Sequence, residues 1–437
     1  MDTSKRLVLL SLAALVIAAV WAAGCGGTTT NQSSGPGVGE TVGVTDTTIK
    51  IGTLLPLSNS AAAAWGVPLS KGMKAYFDYI NDQGGIYGRK IELVVGDSQY
   101  TGAVAAEAVR TLVEQDDIFS LQGSLGSEAH SAVYKYLEGK GIPDMYILTG
   151  DTKWTDPVVH SRFGFLVDYI TEGRILGQYI AKNFDGKKLG ILEQNDEFGS
   201  QGDEGIRKGI ADANASLNIT VQYYDASQND VTSQVQALKA AGVDVIAFYG
   251  MPVQAGNLVK VARQTLTWDV PVVITGTDAV EVLASLAGGE NLEGAVSVVF
   301  GHQAFETNYP GIQKYKDIMA KYGDGAALDN LTLVGLAVSE STVHALEQAG
   351  QDLTRSSFLD AAESSCNFYS STSMVPSNTS PTDHRPLEAE VYVKGTYDHS
   401  TDPPTFKWVP FGDVVSYETT TNCVAPTPPA GYDQQPQ

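Results

Sequence analysis

The sequence predicts an α/β protein with two lobes, each built on a parallel β-sheet covered by helices. Short apolar strands alternate with helices whose apolar residues recur every three or four positions, an order typical of parallel sheets. This alternation runs twice, with a break at "DPVVHSRFGF" near residues 156–165. The 437 residues are enough for two domains with separate cores.

The first unit begins near residue 48 with "IKIGTLLPL", an apolar strand that ends in a proline-containing loop. In "LSKGMKAYFDYIND" the apolar residues share one helical face, and Gly84 and Gly85 end this helix. The following elements are the strand "RKIELVVGD", the helix "GAVAAEAVRTLVEQ", the strand "DIFSLQG", the helix "SEAHSAVYKYLEG" and the strand "PDMYILTG".

The second unit opens with the helix "YITEGRILGQYIAKNF". Its predicted strands are "KKLGILEQ", "ITVQYYD", "VDVIAFYG" and "VPVVITG", and they alternate with the helices "QGDEGIRKGIADAN", "VTSQVQALKAAG" and "VQAGNLVKVARQ". A helical segment over 309–363 and strands from "EAEVYV" onward follow. This late return of helices predicts a chain that crosses between the lobes more than once.

The N-terminus predicts export and a lipid anchor. Two basic residues, an apolar run too short for a comfortable membrane span and three small residues precede Cys25. The order Ala-Ala-Gly-Cys resembles a bacterial lipobox, so we expect residues 1–24 to be a lipoprotein signal peptide and Cys25 to carry the lipid. An ordinary secretory signal with an incidental cysteine is the alternative. Residues 25–46, rich in Gly, Thr and Ser, predict a flexible tether.

Composition excludes several classes of partner. The formal net charge is −22, which argues against nucleic acid binding because that function requires a basic surface. No second long apolar run occurs, so we expect an extracytoplasmic protein attached to the cell membrane only through its lipid.

Cys366 and Cys423 are the remaining cysteines. In an exported protein they suggest one disulfide, and two unpaired thiols are the alternative.

No catalytic, cofactor or metal motif stands out. "GSLGS" lacks the spacing of a nucleophile elbow, and the chain contains neither a phosphate-binding loop nor a dinucleotide loop after a strand. The six histidines show no H-x-x-x-H spacing and no cysteine partners, so the sequence predicts no metal site. We expect His130, His302 and His344 to be surface or core residues. The sequence thus predicts neither an enzyme nor a cofactor.

Polar residues in four loops predict a ligand site, because ligands of parallel sheets bind at the carboxyl ends of the strands. The loop after the first strand brings Trp65, and "GSLGS" brings Ser127 to a helix start. "LTGDTKW" brings Gly150 and Thr152, and "ITGTDAV" brings Asp278. A serine and a threonine facing a carboxylate suit the two ends of a zwitterion. Ser127 as an N-cap and Asp278 as a helix start are the alternatives.

Several motifs together resemble the branched-chain amino-acid-binding proteins of ABC importers, which are type I periplasmic binding proteins. They are "IKIGTLLPLS", "YINDQGGIYGRKIELVVGDSQ", "QNDEFGSQG" and "SPTDHRPLEAEVYV…FGDVV". The resemblance runs from about residue 48 to 415. It implies two Rossmann-like lobes joined by a three-crossover hinge, which close on a ligand in the cleft between them.

The resemblance also implies roles for individual residues. Trp65 matches the aromatic residue of the first loop, and Phe198 stands where many members carry tyrosine. Ser127 matches the serine that binds the α-carboxylate of the ligand. Gly150 and Thr152 match contacts to the amino-acid head group, and Asp278 stands at the acidic position that binds the α-ammonium.

We therefore expect a monomeric receptor that binds an amino acid, branched-chain or related, and delivers it to an ABC permease. A receptor for urea, a short amide or an aromatic acid is one alternative, and a receptor that reports its ligand to a membrane signalling protein is another. The expected divisions are lobe 1 at 47–163 and 296–385, lobe 2 at 164–295 and 386–420, and a C-terminal tail at 421–437.

Overall fold

A computed structural model of the chain describes residues 39–401, 404–417 and Cys423. The predicted signal peptide, Cys25 and the predicted tether as far as residue 38 lie outside the described residues, as does the C-terminal tail apart from Cys423. Cys366 and Cys423 are joined by a disulfide, with their Cα atoms 5.5 Å apart.

Lobe 1 is built on five parallel strands in the order β2-β1-β3-β4-β5. The strands are β1 (Thr48–Leu55), β2 (Lys90–Asp97), β3 (Ser120–Gln122), β4 (Asp144–Ile147) and β5 (Arg162–Gly164). The central strands β3 and β4 are buried throughout, as expected when helices cover both faces of a parallel sheet.

Lobe 2 contains seven strands in the order β12-β11-β10-β9-β8-β6-β7. They are β6 (Lys188–Gln194), β7 (Asn218–Tyr224), β8 (Val245–Tyr249), β9 (Val272–Ile274), β10 (Val296–Val299), β11 (Ala389–Asp398) and β12 (Thr405–Ser416). The strands from β6 to β10 pair in parallel, whereas β11 and β12 add an antiparallel hairpin at one edge. The α/β fold with two mostly parallel sheets agrees with the sequence-based expectation.

Twelve α-helices lie in the described part of the chain. They are α1 (Ala63–Asp82), α2 (Gly102–Glu114), α3 (Ser127–Ser131), α4 (Tyr134–Lys140), α5 (Tyr169–Phe184), α6 (Glu197–Asp212), α7 (Thr232–Ala241), α8 (Pro252–Lys260), α9 (Glu281–Ala287), α10 (Pro310–Tyr322), α11 (Asn330–Ala349) and α12 (Arg355–Glu363).

The chain passes three times between the lobes. It leaves the first sheet after β5, returns after β10 so that α11 packs on α1 of lobe 1, and enters the second sheet again at β11. The packing of α11 on α1 is close at Gly72, where a Cβ atom would lie 2.0 Å from the carbonyl oxygen of Thr332. Because β10 pairs with β9 and β11, the second lobe extends through Val299, beyond the boundary expected between residues 295 and 296.

Three helices differ from their expected bounds. Helix α1 begins at Ala63, because the alanines before Trp65 are strong helix formers, and Trp65 therefore lies in its first turn rather than in a loop. The segment expected as one helix from residue 127 is two, α3 and α4, separated by a turn in which Val133 N donates to His130 O. Helix α6 begins at Glu197, so Phe198 lies in its first turn.

The last residues of the expected tether, 39–46, pack on lobe 1. The buried guanidinium of Arg355 donates to the carbonyl oxygens of Gly39 and Val42 on this segment, and to those of Ile118 and Phe119 in the lobe. Gly43 has a φ of +88°, and a Cβ atom there would lie 2.3 Å from Phe119 N. The folded part of the chain thus begins before residue 47. The carbonyl oxygens of this segment accept hydrogen bonds from the buried guanidinium, which would otherwise be costly to bury.

Candidate ligand-binding cleft

A cavity lies between the lobes at the carboxyl ends of the strands, with an empty volume of about 640 Å³ that includes its opening to solvent. Both lobes and helix α11 contribute to its wall. The lining residues are Trp65, Leu69, Tyr100, Leu125, Gly126, Leu148, Leu166, Tyr169, Phe198, Gly276, Thr277, Val280, Phe300, Leu331 and Val334. None of these described lining residues carries a charge, so the cavity suits a ligand with an apolar body.

Trp65 and Phe198 both line this cavity, Trp65 from α1 of lobe 1 and Phe198 from α6 of lobe 2. Phe198 packs against the rings of Tyr169 and Tyr249, with centroid distances of 4.6 and 5.2 Å. The indole N–H of Trp65 is buried and has no hydrogen-bond acceptor among the described residues. It is therefore a donor that a ligand in the cavity could use.

Ser127 belongs to a buried chain of hydroxyl groups at the edge of the cavity. Its Oγ lies 2.6 Å from Thr149 Oγ1, which in turn lies 3.1 Å from the hydroxyl oxygen of Tyr169. Tyr169 lines the cavity, whereas Ser127 lies behind it at the start of α3. Ser127 thus supports the tyrosine hydroxyl, and Gly126 rather than Ser127 is the N-cap of α3, without a side-chain capping hydrogen bond. The predicted contact of Ser127 with a ligand carboxylate stays a prediction.

Gly150 and Thr152 position the loop after β4 rather than line the cavity. A Cβ atom at Gly150 would lie 2.7 Å from the Tyr169 ring, so only glycine allows that ring to approach. Thr152 N donates to Gln201 Oε1 at 3.0 Å, and Gln201 Nε2 donates to Asp151 Oδ1 at 2.7 Å. Gln201 lies on α6, so these hydrogen bonds join the two lobes beside the cleft.

Asp278 lies behind the cavity wall, in the interior of lobe 2. It is fully buried, it is not among the residues that line the cavity, and its carboxyl oxygens have no hydrogen-bond partner among the described residues. Burial raises the pKa of the Asp278 carboxyl well above its ordinary value, and the nearby Glu172 carboxylate raises it further. Its predicted role as the partner of a ligand ammonium stays a prediction.

Glu172 and Glu390 share this interior with Asp278. Glu172 accepts hydrogen bonds from Thr275 Oγ1 at 2.6 Å and from Gly276 N at 3.0 Å. Burial raises the pKa values of both glutamates, and the negative charge of Glu172 raises that of Glu390 further. Three carboxyl groups therefore lie together, with no cation beside them among the described residues, and this surrounding favours their neutral forms.

The sequence profile of the periplasmic binding protein family matches residues 48–394, most of the chain and all the strands from β1 to β10. The chain belongs to this family. Within it, the chain is a type I periplasmic binding protein of the branched-chain amino-acid-binding family. In the described part of this periplasmic binding protein, no helix combines the length and apolar character that crossing a bilayer requires.

Two curated relatives illustrate the similarity. An amino acid binding protein from Pseudomonas aeruginosa is 27% identical over 253 residues, which cover 55% of this chain and 64% of the relative. The Leu/Ile/Val-binding protein homolog 1 from Brucella suis is 23% identical over 308 residues, 70% of this chain and 79% of that relative. The chain spans 64% of the Pseudomonas aeruginosa relative and 56% of the Leu/Ile/Val-binding protein homolog 1 from Brucella abortus, less than two thirds of the length of each.

Solved structures share the fold over most of the chain. A branched chain amino acid ABC transporter protein from Thermus thermophilus with bound valine aligns with a TM-score of 0.75 and 19% identity, covering 85% of this chain and 97% of that one. A fatty acid ABC transporter substrate-binding protein from Thermomonospora curvata aligns with a TM-score of 0.74 and 23% identity, covering 86% and 95%. At these identities the likeness shows the fold of this periplasmic binding protein and no more.

Among the lining residues that sequence reasoning missed, four show why it missed them. Tyr100 follows β2 and Tyr169 opens α5, both near strand ends where ligand-contacting residues are expected, so their position was a usable signal. Leu331 and Val334 come from α11, which is buried on nearly every side. No periodicity distinguishes its cleft-facing residues from its core residues.

Proposed function

We propose that this protein is a lipid-anchored extracytoplasmic receptor of an ABC importer, and that its ligand is a small carboxylic acid with an apolar body. The family supports the role of a solute-binding receptor, and the lipobox-like sequence before Cys25 supports the anchor. Closure of the lobes would hold the ligand, and the closed form would dock on a permease. Neither step requires a covalent change in the ligand.

The proposed class of ligand rests on the residues that line the cleft. Aliphatic and aromatic side chains from both lobes surround the cavity, and burial of an apolar ligand surface stabilises the complex by about 25 cal/mol per Å². At the polar end, the indole N–H of Trp65 and the hydroxyl groups of Tyr169 and Thr277 can donate hydrogen bonds. Neutral donors of this kind satisfy a carboxylate without a lysine or arginine.

An amino acid with an apolar side chain is the second candidate. The kinship with branched-chain amino-acid-binding proteins favours it, as does the likeness to the fold of a valine complex. Its ammonium would need a carboxylate, because an unpaired buried charge costs several kcal/mol. Asp278 follows Thr277, a lining residue, and is therefore the candidate partner for the ammonium. Its surroundings favour the neutral carboxyl, however, and Asp278 is not among the residues that line the cavity.

Matched pairs of ligands decide between these candidates. Isocaproate differs from leucine, valerate from norvaline, and hydrocinnamate from phenylalanine only by the α-amino group. We expect each acid to raise the thermal unfolding midpoint of the chain more than its amino acid does, because bound ligand stabilises the folded state by mass action. Larger shifts with the amino acids would favour the second candidate, and no shift with either set would contradict an apolar ligand.

A further inference from the structure

Two histidines and two acidic residues meet at the base of lobe 1, outside the cleft. Glu363 Oε1 lies 2.9 Å from His160 Nδ1 and 3.1 Å from His384 Nε2. Asp360 Oδ1 lies 3.6 Å from His160 Nε2. His160, Asp360 and Glu363 offer donor atoms within 4.8 Å of one another, and the shared contact with Glu363 adds His384 to this group.

His384 is fixed in an orientation suited to a ligand. The ring is fully buried, it stacks on Phe163 at a centroid distance of 3.9 Å, and its Nδ1 lies 2.8 Å from the carbonyl oxygen of Arg162. A carbonyl oxygen only accepts hydrogen bonds, so Nδ1 carries a hydrogen, and Nε2 is the ring nitrogen that faces Glu363. Histidines that bind metals commonly donate their other N–H to a backbone carbonyl in this way.

The Nε2 atom of His384 therefore lies 3.1 Å from a carboxylate oxygen of Glu363. A metal ion or a proton between these two atoms would satisfy both of them. His160 Nδ1 lies 2.9 Å from the same oxygen, so two imidazole nitrogens contact one carboxylate oxygen. Imidazole and carboxylate groups in this number suit zinc, which binds four such ligands in a tetrahedral arrangement.

We propose that His160, Asp360, Glu363 and His384 form a binding site for a divalent transition-metal ion such as Zn²⁺. Zinc–nitrogen and zinc–oxygen bonds of about 2.0–2.1 Å place tetrahedral donors roughly 3.3 Å apart, a few tenths of an ångström wider than the two contacts of Glu363 Oε1 with the histidines. Asp360 Oδ1 faces Nε2 of His160, whereas Glu363 contacts Nδ1, so His160 and Asp360 must shift for all four residues to bind one ion. Their side chains are 49% and 67% exposed, which leaves them free to do so. Asp360 lies one helical turn before Glu363, so both carboxylates project from one side of α12.

The position of this site gives the ion a structural role. His160 precedes β5, after which the chain first crosses to lobe 2, and His384 precedes the third crossing into β11. Arg385, the next residue, pairs with Asp168 at 3.8 Å, so the two crossing segments already contact each other there. A metal ion would join both segments to the end of α12 and hold the base of the hinge.

Zinc titration of the full chain, purified in detergent without a polyhistidine tag and stripped of metal with a chelator, tests this site. We expect one ion to bind per chain and to raise the thermal unfolding midpoint. His160→Ala and Asp360→Asn change exposed side chains, so they should fold normally and weaken zinc binding by about tenfold or more. His399→Ala removes another exposed histidine, beside Asp398 in the β11–β12 turn, and should leave binding unchanged.

The visible absorption of bound Co²⁺ provides an independent measurement of the ligand geometry. Co²⁺ in a tetrahedral site of nitrogen and oxygen ligands absorbs visible light far more strongly than hydrated Co²⁺, and we expect His160→Ala to remove this absorption. The proposal is overturned if the chain binds no zinc, or if His160→Ala and Asp360→Asn bind zinc as the wild type does. In that case His160, Glu363 and His384 form only a hydrogen-bonded ion-pair cluster.

Discussion

The two sides of one short segment, Gly276–Val280, differ sharply in their electrostatics. On the cleft side, Gly276, Thr277 and Val280 contribute to a wall that carries no charge. On the other side, Asp278 lies with the carboxyl groups of Glu172 and Glu390 in an interior that lacks a compensating cation among the described residues. Thr277 and Asp278 are neighbours in sequence, yet Thr277 lines the cavity and Asp278 is buried in lobe 2.

The difference teaches that an acidic residue at a strand end need not line the adjacent cavity. The carboxyl-end rule correctly points to the segment after β9. Side-chain direction within the segment is set by a tight turn, in which Asp278 N donates to Thr275 O and Ala279 N donates to Gly276 O. Within that turn Thr277 lines the cavity and Asp278 does not, and the geometry of the turn is not readable from "ITGTDAV".

The largest expected effect concerns stability at rising pH. An acid whose pKa is raised in the folded state stabilises the fold fully below its unfolded pKa, near 4, and loses this contribution as pH rises toward the folded pKa. Asp278 should therefore lower the free energy of unfolding by up to about 1.4 kcal/mol per pH unit above pH 4. We expect Asp278→Asn to be more stable than wild type at pH 8 and less dependent on pH.

Urea unfolding between pH 5 and 8 measures this difference. Glu193 and Glu281, whose pKa values burial raises to about 7, contribute to the pH dependence of both proteins, so only the difference between variants reports on Asp278. Asp413→Asn, at an exposed position on β12, should leave the dependence unchanged. Equal pH dependence in wild type and Asp278→Asn would show that Asp278 ionises freely and that the two sides of the segment do not differ as described.

A smaller effect is expected on the uncharged side of the comparison. Trp65→Ala removes a large apolar surface and a hydrogen-bond donor from the cleft, so it should weaken the binding of an apolar acid by about 2–3 kcal/mol. Trp408→Ala is the matched control, because Trp408 is buried in lobe 2 away from the cavity lining. That control should lower stability but not affinity, and equal affinity losses in the two variants would contradict a specific role for Trp65.

How much of the molecule the sequence predicts depends on the range of the interactions involved. Strand–helix alternation depends on local patterns, and it correctly predicts both sheets and the approximate place of the cleft. Trp65 and Phe198 reach the cavity because the first turns of α1 and α6 follow strand ends. His160 and His384 lie far apart in sequence, so no spacing rule could reveal that they share Glu363.

The central claim is that the cleft receives an apolar acid while Asp278 remains sealed behind its wall. The most direct test is calorimetric titration of wild type and Asp278→Asn with isocaproate and with leucine. We predict that isocaproate binds both proteins with the same affinity and that leucine binds either one more weakly. The claim is contradicted if leucine binds wild type more tightly than isocaproate does and Asp278→Asn costs leucine about 2–5 kcal/mol, the loss expected when one partner of a buried charge pair is removed.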